Sequence, residues 1–115
     1  MLRGGLFNLY GNLTSLDNYI STFDGGYKYI HMFENTNVYD CSKLNTGIKT
    51  FKGGYVFDSM FKNCEYLIKV PELPVTTLAN SCYRNMFSGC TLLTTIPSNL
   101  LPATTLRAYC YQYMF

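Results

Sequence analysis

Met-Phe recurs at 32–33, 60–61, 86–87 and 114–115, and Leu9-Tyr10 stands where a degenerate further copy would fall. The spacings from copy to copy are 23, 28, 26 and 28 residues. Self-similarity at such a period marks stacked supersecondary units, each covering its neighbour, and argues against one closed domain. The best-formed unit reads Cys82-Tyr83-Arg84-Asn85-Met86-Phe87-Ser88-Gly89-Cys90.

With Met as the reference, the residue three before it is always aromatic: Tyr29, Phe57, Tyr83 and Tyr111. Leu78, Cys82 and Met86 fall four apart, as do Tyr83 and Phe87. That spacing predicts one apolar face of a helix of two to three turns. Three residues after Met or its stand-in come Asn12, Asn35, Asn63 and Gly89. These types tolerate the left-handed backbone that ends many helices, so the expected unit is a short helix with an Asn/Gly cap.

The chain is then expected to turn into a strand. Leu67–Val70 and Leu93–Ile96 are the candidate strands, each closed by a proline (Pro71, Pro97) that has no N–H for a ladder. Thr-Thr-Leu follows at 76–78 and 104–106, with Thr22-Phe23 and Thr50-Phe51 in the same role, and threonine suits the N-cap of the next helix. The segment 39–43 (Tyr-Asp-Cys-Ser-Lys) is the most polar of the strand regions, and the array is expected to be least regular there.

The pattern Met-Phe-x-x-Cys-x-x-Leu-x-x-[Val/Ile]-Pro, then Thr-Thr-Leu, then Cys-Tyr-x-x-Met-Phe, resembles the BspA-like leucine-rich repeats of bacterial surface proteins. It is also similar to the related short Met-Phe repeats of bacterial surface lipoproteins. The resemblance is tight over 57–115, looser over 22–56 and faint over 1–21. Thr36 and Leu13 replace the cysteine, Ser42 replaces an inward aliphatic, and prolines stand where relatives often carry Asp. The resemblance implies an α/β, leucine-rich-repeat-like solenoid with one short parallel strand and one short helix per repeat. It also implies surface adhesion or partner binding, and it transfers no catalytic residue.

The expected organisation is a single array over 1–115, with repeats at 1–21, 22–49, 50–76 and 77–104 and a partial one at 105–115. The last copy stops at Met114-Phe115 without its cap. The chain therefore reads as the front of a longer array, with 105–115 its least ordered helix and an open C-terminal end through which copies self-associate. Apolar residues make up 48% and charged ones 14%, a balance that excludes a disordered chain. A net charge of +2 without a Lys/Arg cluster argues against nucleic acid as a partner. No apolar run approaches the length of a membrane span. No signal-peptide apolar region follows Met1-Leu2-Arg3, so a cell-surface or secreted location rests on the resemblance.

The five cysteines lack the close paired spacing of a zinc site. Cys64/Cys90 and Cys82/Cys110 hold equivalent repeat positions, so they are expected to stack as inward ladders of free thiols; a ladder disulfide stays within geometric reach. Cys41 breaks the pattern and is expected to be more exposed. His31 reads as a surface residue, and the acidic residues (Asp17, Asp24, Glu34, Asp40, Asp58, Glu65, Glu72) as scattered, so no catalytic, cofactor or metal residue is assigned. Gly25-Gly26 and Gly53-Gly54 recur with the repeat and read as turns. Tyr27, Tyr55 and Tyr109, five before Met, would lie opposite the buried face, with Ser81 interrupting the row. An exposed aromatic row suits protein or glycan recognition; the alternative is that these rings pack on neighbouring turns. Together with Lys69 and Thr94 they are the candidate partner contacts. The functional expectation is a non-enzymatic binding module of a bacterial or phage surface protein. The alternative is a structural spacer without a ligand of its own.

Overall fold

A computed structural model describes residues 5–13, 29–48, 50–51 and 53–115. Among these residues there is no helix, and the two strands are β1 (Phe7–Asn12) and β2 (Val38–Asn45). The expected solenoid of one helix and one strand per repeat is therefore overturned. The segments assigned to helices are instead chains of overlapping turns at 29–35, 56–63, 80–89 and 108–113.

The hydrogen bonds show why these segments cannot be helical. In the second of them Tyr55, Phe57, Ser59, Phe61 and Asn63 donate their N–H groups to the carbonyls of Asn80, Cys82, Arg84, Met86 and Ser88, at 2.7–3.0 Å. The intervening Asp58, Met60, Lys62 and Cys64 donate to the residue three before, at 3.1–3.2 Å. An α-helix would send each N–H four residues back within its own segment. Here every second N–H leaves the segment for the next one. The same alternation joins 29–35 to 56–62 and 81–87 to 108–114. The result is a stack of four turn segments, called rungs below.

A chain that turns this often needs a left-handed residue at each second turn, and it finds one every fourth position. Positive φ occurs at His31 and Asn35, at Tyr55, Ser59 and Asn63, at Ser81, Asn85 and Gly89, and at Tyr109 and Tyr113. Turns such as Phe57–Met60 carry it at their third residue, as a type II turn requires. The expected positive φ at Asn35, Asn63 and Gly89 is present, but it punctuates a ribbon of turns and caps no helix. Gly89 is constrained twice: its φ is +79°, and a Cβ there would fall against Asn63 Oδ1.

Rung pairing places equivalent side chains over one another. Tyr29, Phe57, Tyr83 and Tyr111 stack at 5.7–6.1 Å between ring centroids, and Phe33, Phe61, Phe87 and Phe115 at 5.6–5.7 Å. Phe51 meets Phe57 and Tyr83 edge-on, closing one side of the first column. Met60, Met86 and Met114 are buried beside these columns. Met32, expected to join them, is 39% exposed, because its rung has no preceding rung over it among the described residues. Residues 105–115 are not helical either; they form the last rung, with the Phe115 ring 58% exposed.

The regular strand lies where the array was expected to be least regular. β1 and β2 pair in parallel, with Phe7 opposite Val38, Tyr10 opposite Lys43 and Asn12 opposite Asn45. Two register shifts give β2 two more residues than β1 over this span. The extra residues replace strand alternation by a spacing of three, so that Val38, Cys41 and Leu44 all point inward. Cys41, expected to be exposed, is fully buried for this reason. Leu9-Tyr10 thus sits beside the strand segment of the next repeat and not beside Met32-Phe33. Neither Leu67–Val70 nor Leu93–Ile96 forms a strand; the first adds only an isolated bridge from Lys69 to Asp40. No helix of the described residues is long and apolar enough to cross a membrane.

Candidate functional site

The edge of β2 continues into a groove. Cys41 donates its N–H to the Lys69 carbonyl at 2.9 Å, and Ile68 donates to the Tyr39 carbonyl at 2.8 Å, so 68–69 lies as a third row beside β2. Residues 92–97 follow on the far side, where Pro97 removes a ladder donor. The depression over these three rows is an open groove of about 500 Å³, lined by Ser42, Ile68, Lys69, Val70, Leu92, Thr94, Thr95 and Pro97. A second groove of about 350 Å³ shares Val70 and Pro97 with it and takes in all four prolines of the chain, Pro71, Pro74, Pro97 and Pro102.

Its chemistry is aliphatic with a polar fringe. Leu92 is half exposed, and Ile68, Val70 and Pro97 supply further apolar surface. Lys69 is the one cation in the lining and is exposed. At the β2 side Asp40 Oδ1 accepts hydrogen bonds from Ser42 Oγ (2.7 Å) and Ser42 N (2.8 Å). Those two bonds, the side-chain one foremost, hold the Asp40 carboxyl below its ordinary value, with weaker help from Lys69 and Lys43. Asp40 is thereby satisfied locally, at the rim.

Of the residues picked from the sequence, Lys69 and Thr94 meet in this groove. Tyr55 and Tyr109 do not line it. Tyr109 is 62% exposed, whereas Tyr55 is half-buried with the Arg84 guanidinium carbon 5.8 Å above its ring. Ser81, between them in the row, is buried, so no continuous aromatic row forms there. Tyr27 lies outside the described residues. Sequence reasoning missed Ser42, Leu92, Thr95 and the prolines as groove residues.

A second polar feature was also missed. Asp58 is buried, accepts from Ser59 Oγ at 2.6 Å through Oδ1, and faces Arg84 Nε at 3.0 Å through Oδ2. The Arg84 contact is an ion pair whose geometry is too oblique for a hydrogen bond. Asp58 and Arg84 share one position, two before Met, in adjacent rungs. Opposite charges at equivalent repeat positions were the available signal.

All five cysteines are free and buried. Cys64 and Cys90 donate their thiols back to the Phe33 and Phe61 carbonyls, at 3.0 and 3.2 Å. Burial pushes Cys82 and Cys90 up to about 12 and raises Cys41 and Cys64 as well. Such thiols are protonated and weakly nucleophilic at neutral pH. His31 is exposed and pairs with Glu34, Nδ1 to Oε2 at 2.9 Å. No group of three or more His, Cys, Asp or Glu among the described residues is placed to hold a metal ion. No protein family, curated protein or solved structure matches the chain.

Proposed function

We propose that this chain is a non-enzymatic binding module whose partner is a segment of another protein, held in the groove over 42, 68–70 and 92–97. The observation that carries the reading is the groove itself. It is mostly apolar, its lining is drawn from β2, 68–70 and 92–97, and its one cation is Lys69. That lining favours an extended peptide with aliphatic side chains and an acidic group near Lys69 over a sugar, for which the groove offers no ring to stack on. A bacterial or phage surface setting belongs to the same proposal and rests on the repeat pattern alone.

The test is selection of binders from a random-peptide display library on the immobilised chain. Enriched peptides should be acidic and aliphatic, and should lose binding on Lys69→Glu and on Leu92→Asp. Binders indifferent to both substitutions, or binding by a glycan array with no peptide enriched, would overturn it. The uninterrupted rung-to-rung hydrogen bonding favours a second reading, a stiff spacer without a ligand. Under that reading the selection enriches nothing.

A further inference from the structure

The two rows that follow the second and third rungs separate and then rejoin. Asn63 donates its N–H to the Ser88 carbonyl at 2.7 Å. The rows next meet where Thr104 donates to the Thr76 carbonyl and Leu78 to the Thr105 carbonyl, both at 2.9 Å. Between these points no backbone hydrogen bond joins one row to the other among the described residues. Two features of the sequence account for the gap. Pro71 and Pro74 remove donors from the earlier row, and Pro97 and Pro102 remove them from the later one. The later row is also longer: Cys64 and Cys90 stand 26 apart, whereas the bridged pair Thr77 and Thr105 stands 28 apart. The two extra residues fall between Pro97 and Pro102, which are five apart where Pro71 and Pro74 are three apart.

That surplus leaves the later row slack opposite Pro71–Pro74, and the second groove lies there, with Glu72 and Leu73 on one side and Asn99 and Leu100 on the other. It meets the first groove at Val70 and Pro97, which line both. Val70, Leu73 and Leu100 are buried and give an apolar floor, while Lys69, Glu72 and Asn99 are exposed at the rim. Lys69 and Glu72 are the only charged residues in the lining of either groove. The prolines hold these two charges apart. Pro71 has a fixed φ, and Val70 before it is confined to extended backbone, so Lys69 and Glu72 lie about 10 Å from each other. Glu72, Leu73 and Asn99 use neither their N–H nor their carbonyl in a hydrogen bond among the described residues.

We propose that the two grooves form one site and that the segment it holds is an extended peptide with two opposite charges, an acidic residue at Lys69 and a basic residue at Glu72. Charge complementarity selects this occupant, because the lining offers one cation and one anion and is otherwise apolar or neutral. Three steps of extended chain also cover about 10 Å. Two residues therefore separate the charges, in either chain direction, and those two are aliphatic because they pass over Val70 and Pro97. The open backbone groups of Glu72, Leu73 and Asn99 give the peptide main chain its partners, as in strand addition to a sheet edge. The paired-charge site rests on the first groove being a peptide site, and adds to it the second groove, the basic residue and the spacing.

The test takes peptides enriched by the display selection, labels them with a fluorophore and titrates them by anisotropy against the parent, Lys69→Glu and Glu72→Lys. Glu72 is exposed, so Glu72→Lys should keep the parent's urea midpoint. The enriched peptides should carry Lys or Arg separated by two residues from Asp or Glu. Glu72→Lys should weaken their binding about tenfold by setting like charges together. A peptide whose basic residue is replaced by Glu should bind the parent about as weakly, and should recover on Glu72→Lys. Failure of that recovery overturns the proposal. Peptides that lose binding on Lys69→Glu but are indifferent to Glu72→Lys also overturn it, while leaving the first groove as a peptide site. A selection that enriches nothing overturns both.

Discussion

Replacing Asn85 by glycine and, separately, by alanine distinguishes a ribbon of turns from a helix by the sign of one difference. Asn85 has φ +55°, lies in the middle of the third rung, and its side chain makes no hydrogen bond among the described residues. Both substitutions remove the same side chain, so the comparison isolates the backbone. Left-handed backbone costs an L-residue about 1–2 kcal/mol. Glycine gives back about 0.4–1 kcal/mol through the greater freedom of its unfolded chain. Asn85→Gly should therefore be more stable than Asn85→Ala by about 1 kcal/mol. In a helix interior the order reverses, with alanine favoured by about 0.8–1.0 kcal/mol. Urea unfolding at low protein concentration reads the difference. With a slope of about 2 kcal/mol per molar, the glycine variant should have a midpoint higher by about 0.5 M. A midpoint higher for alanine would refute the left-handed assignment and, with it, the ribbon.

Other consequences follow from the columns, the ion pair and the thiols. Phe61→Ala and Phe87→Ala, each removing a buried ring stacked on both sides, should cost about 3–5 kcal/mol, whereas Phe115→Ala should cost about 1 kcal/mol, since over half of that ring is already in water; equal losses in urea unfolding would contradict the stacking order. Asp58→Ala leaves Arg84 facing a vacated buried site. Breaking a buried pair costs about 3–5 kcal/mol, but Arg84 is partly solvated, so about 2 kcal/mol is expected, and a double variant with Arg84→Met should recover part of it. Cys82 and Cys90 titrate near 12 when folded, above the ordinary thiol value near 9. A raised folded value means that the folded state holds its proton longer, so this stability is complete below pH about 9 and is lost as pH rises from there toward 12. Urea midpoints that stay level across that window would contradict burial of these thiols.

Much of the packing was legible and the backbone was not, and Leu78, Cys82, Met86 and Cys90 show why. Over two or three members, a spacing of four fits a helix of 3.6 residues per turn. Over the full run a helical stripe drifts by about 40° per step, or about 120° in all, yet all four residues are buried. The period is therefore four, the period of the turns, and the excess was already present in the sequence. Which residues stack was readable because aromatic rings recur at fixed offsets from Met. Where each N–H goes was not, since the same ring columns arise whether hydrogen bonds run along a segment or across to the next.

β2 escaped for a related reason. Its two extra residues turn the inward spacing from two to three, so Val38, Cys41 and Leu44 do not alternate as a strand should, and Asp40 and Ser42 look like loop residues. Asp40 instead folds its carboxylate back on Ser42 and leaves the backbone to pair. In the groove, Lys69 and Thr94 stood out as polar residues among aliphatic ones. Leu92 was not picked out, because nothing in its spacing tells an inward aliphatic from one left on the surface where a row ends at proline.

The most direct measurement is the through-hydrogen-bond coupling between backbone ¹⁵N and ¹³C′ nuclei in solution. Phe57, Ser59 and Phe61 have partners 25 residues ahead in the stack, at the carbonyls of Cys82, Arg84 and Met86, with N···O distances of 2.8–3.0 Å. Cross-peaks from these three nitrogens to those three carbonyl carbons are the predicted result. Cross-peaks to the carbonyls of Gly53, Tyr55 and Phe57, four residues back, would show helices and contradict the ribbon of turns.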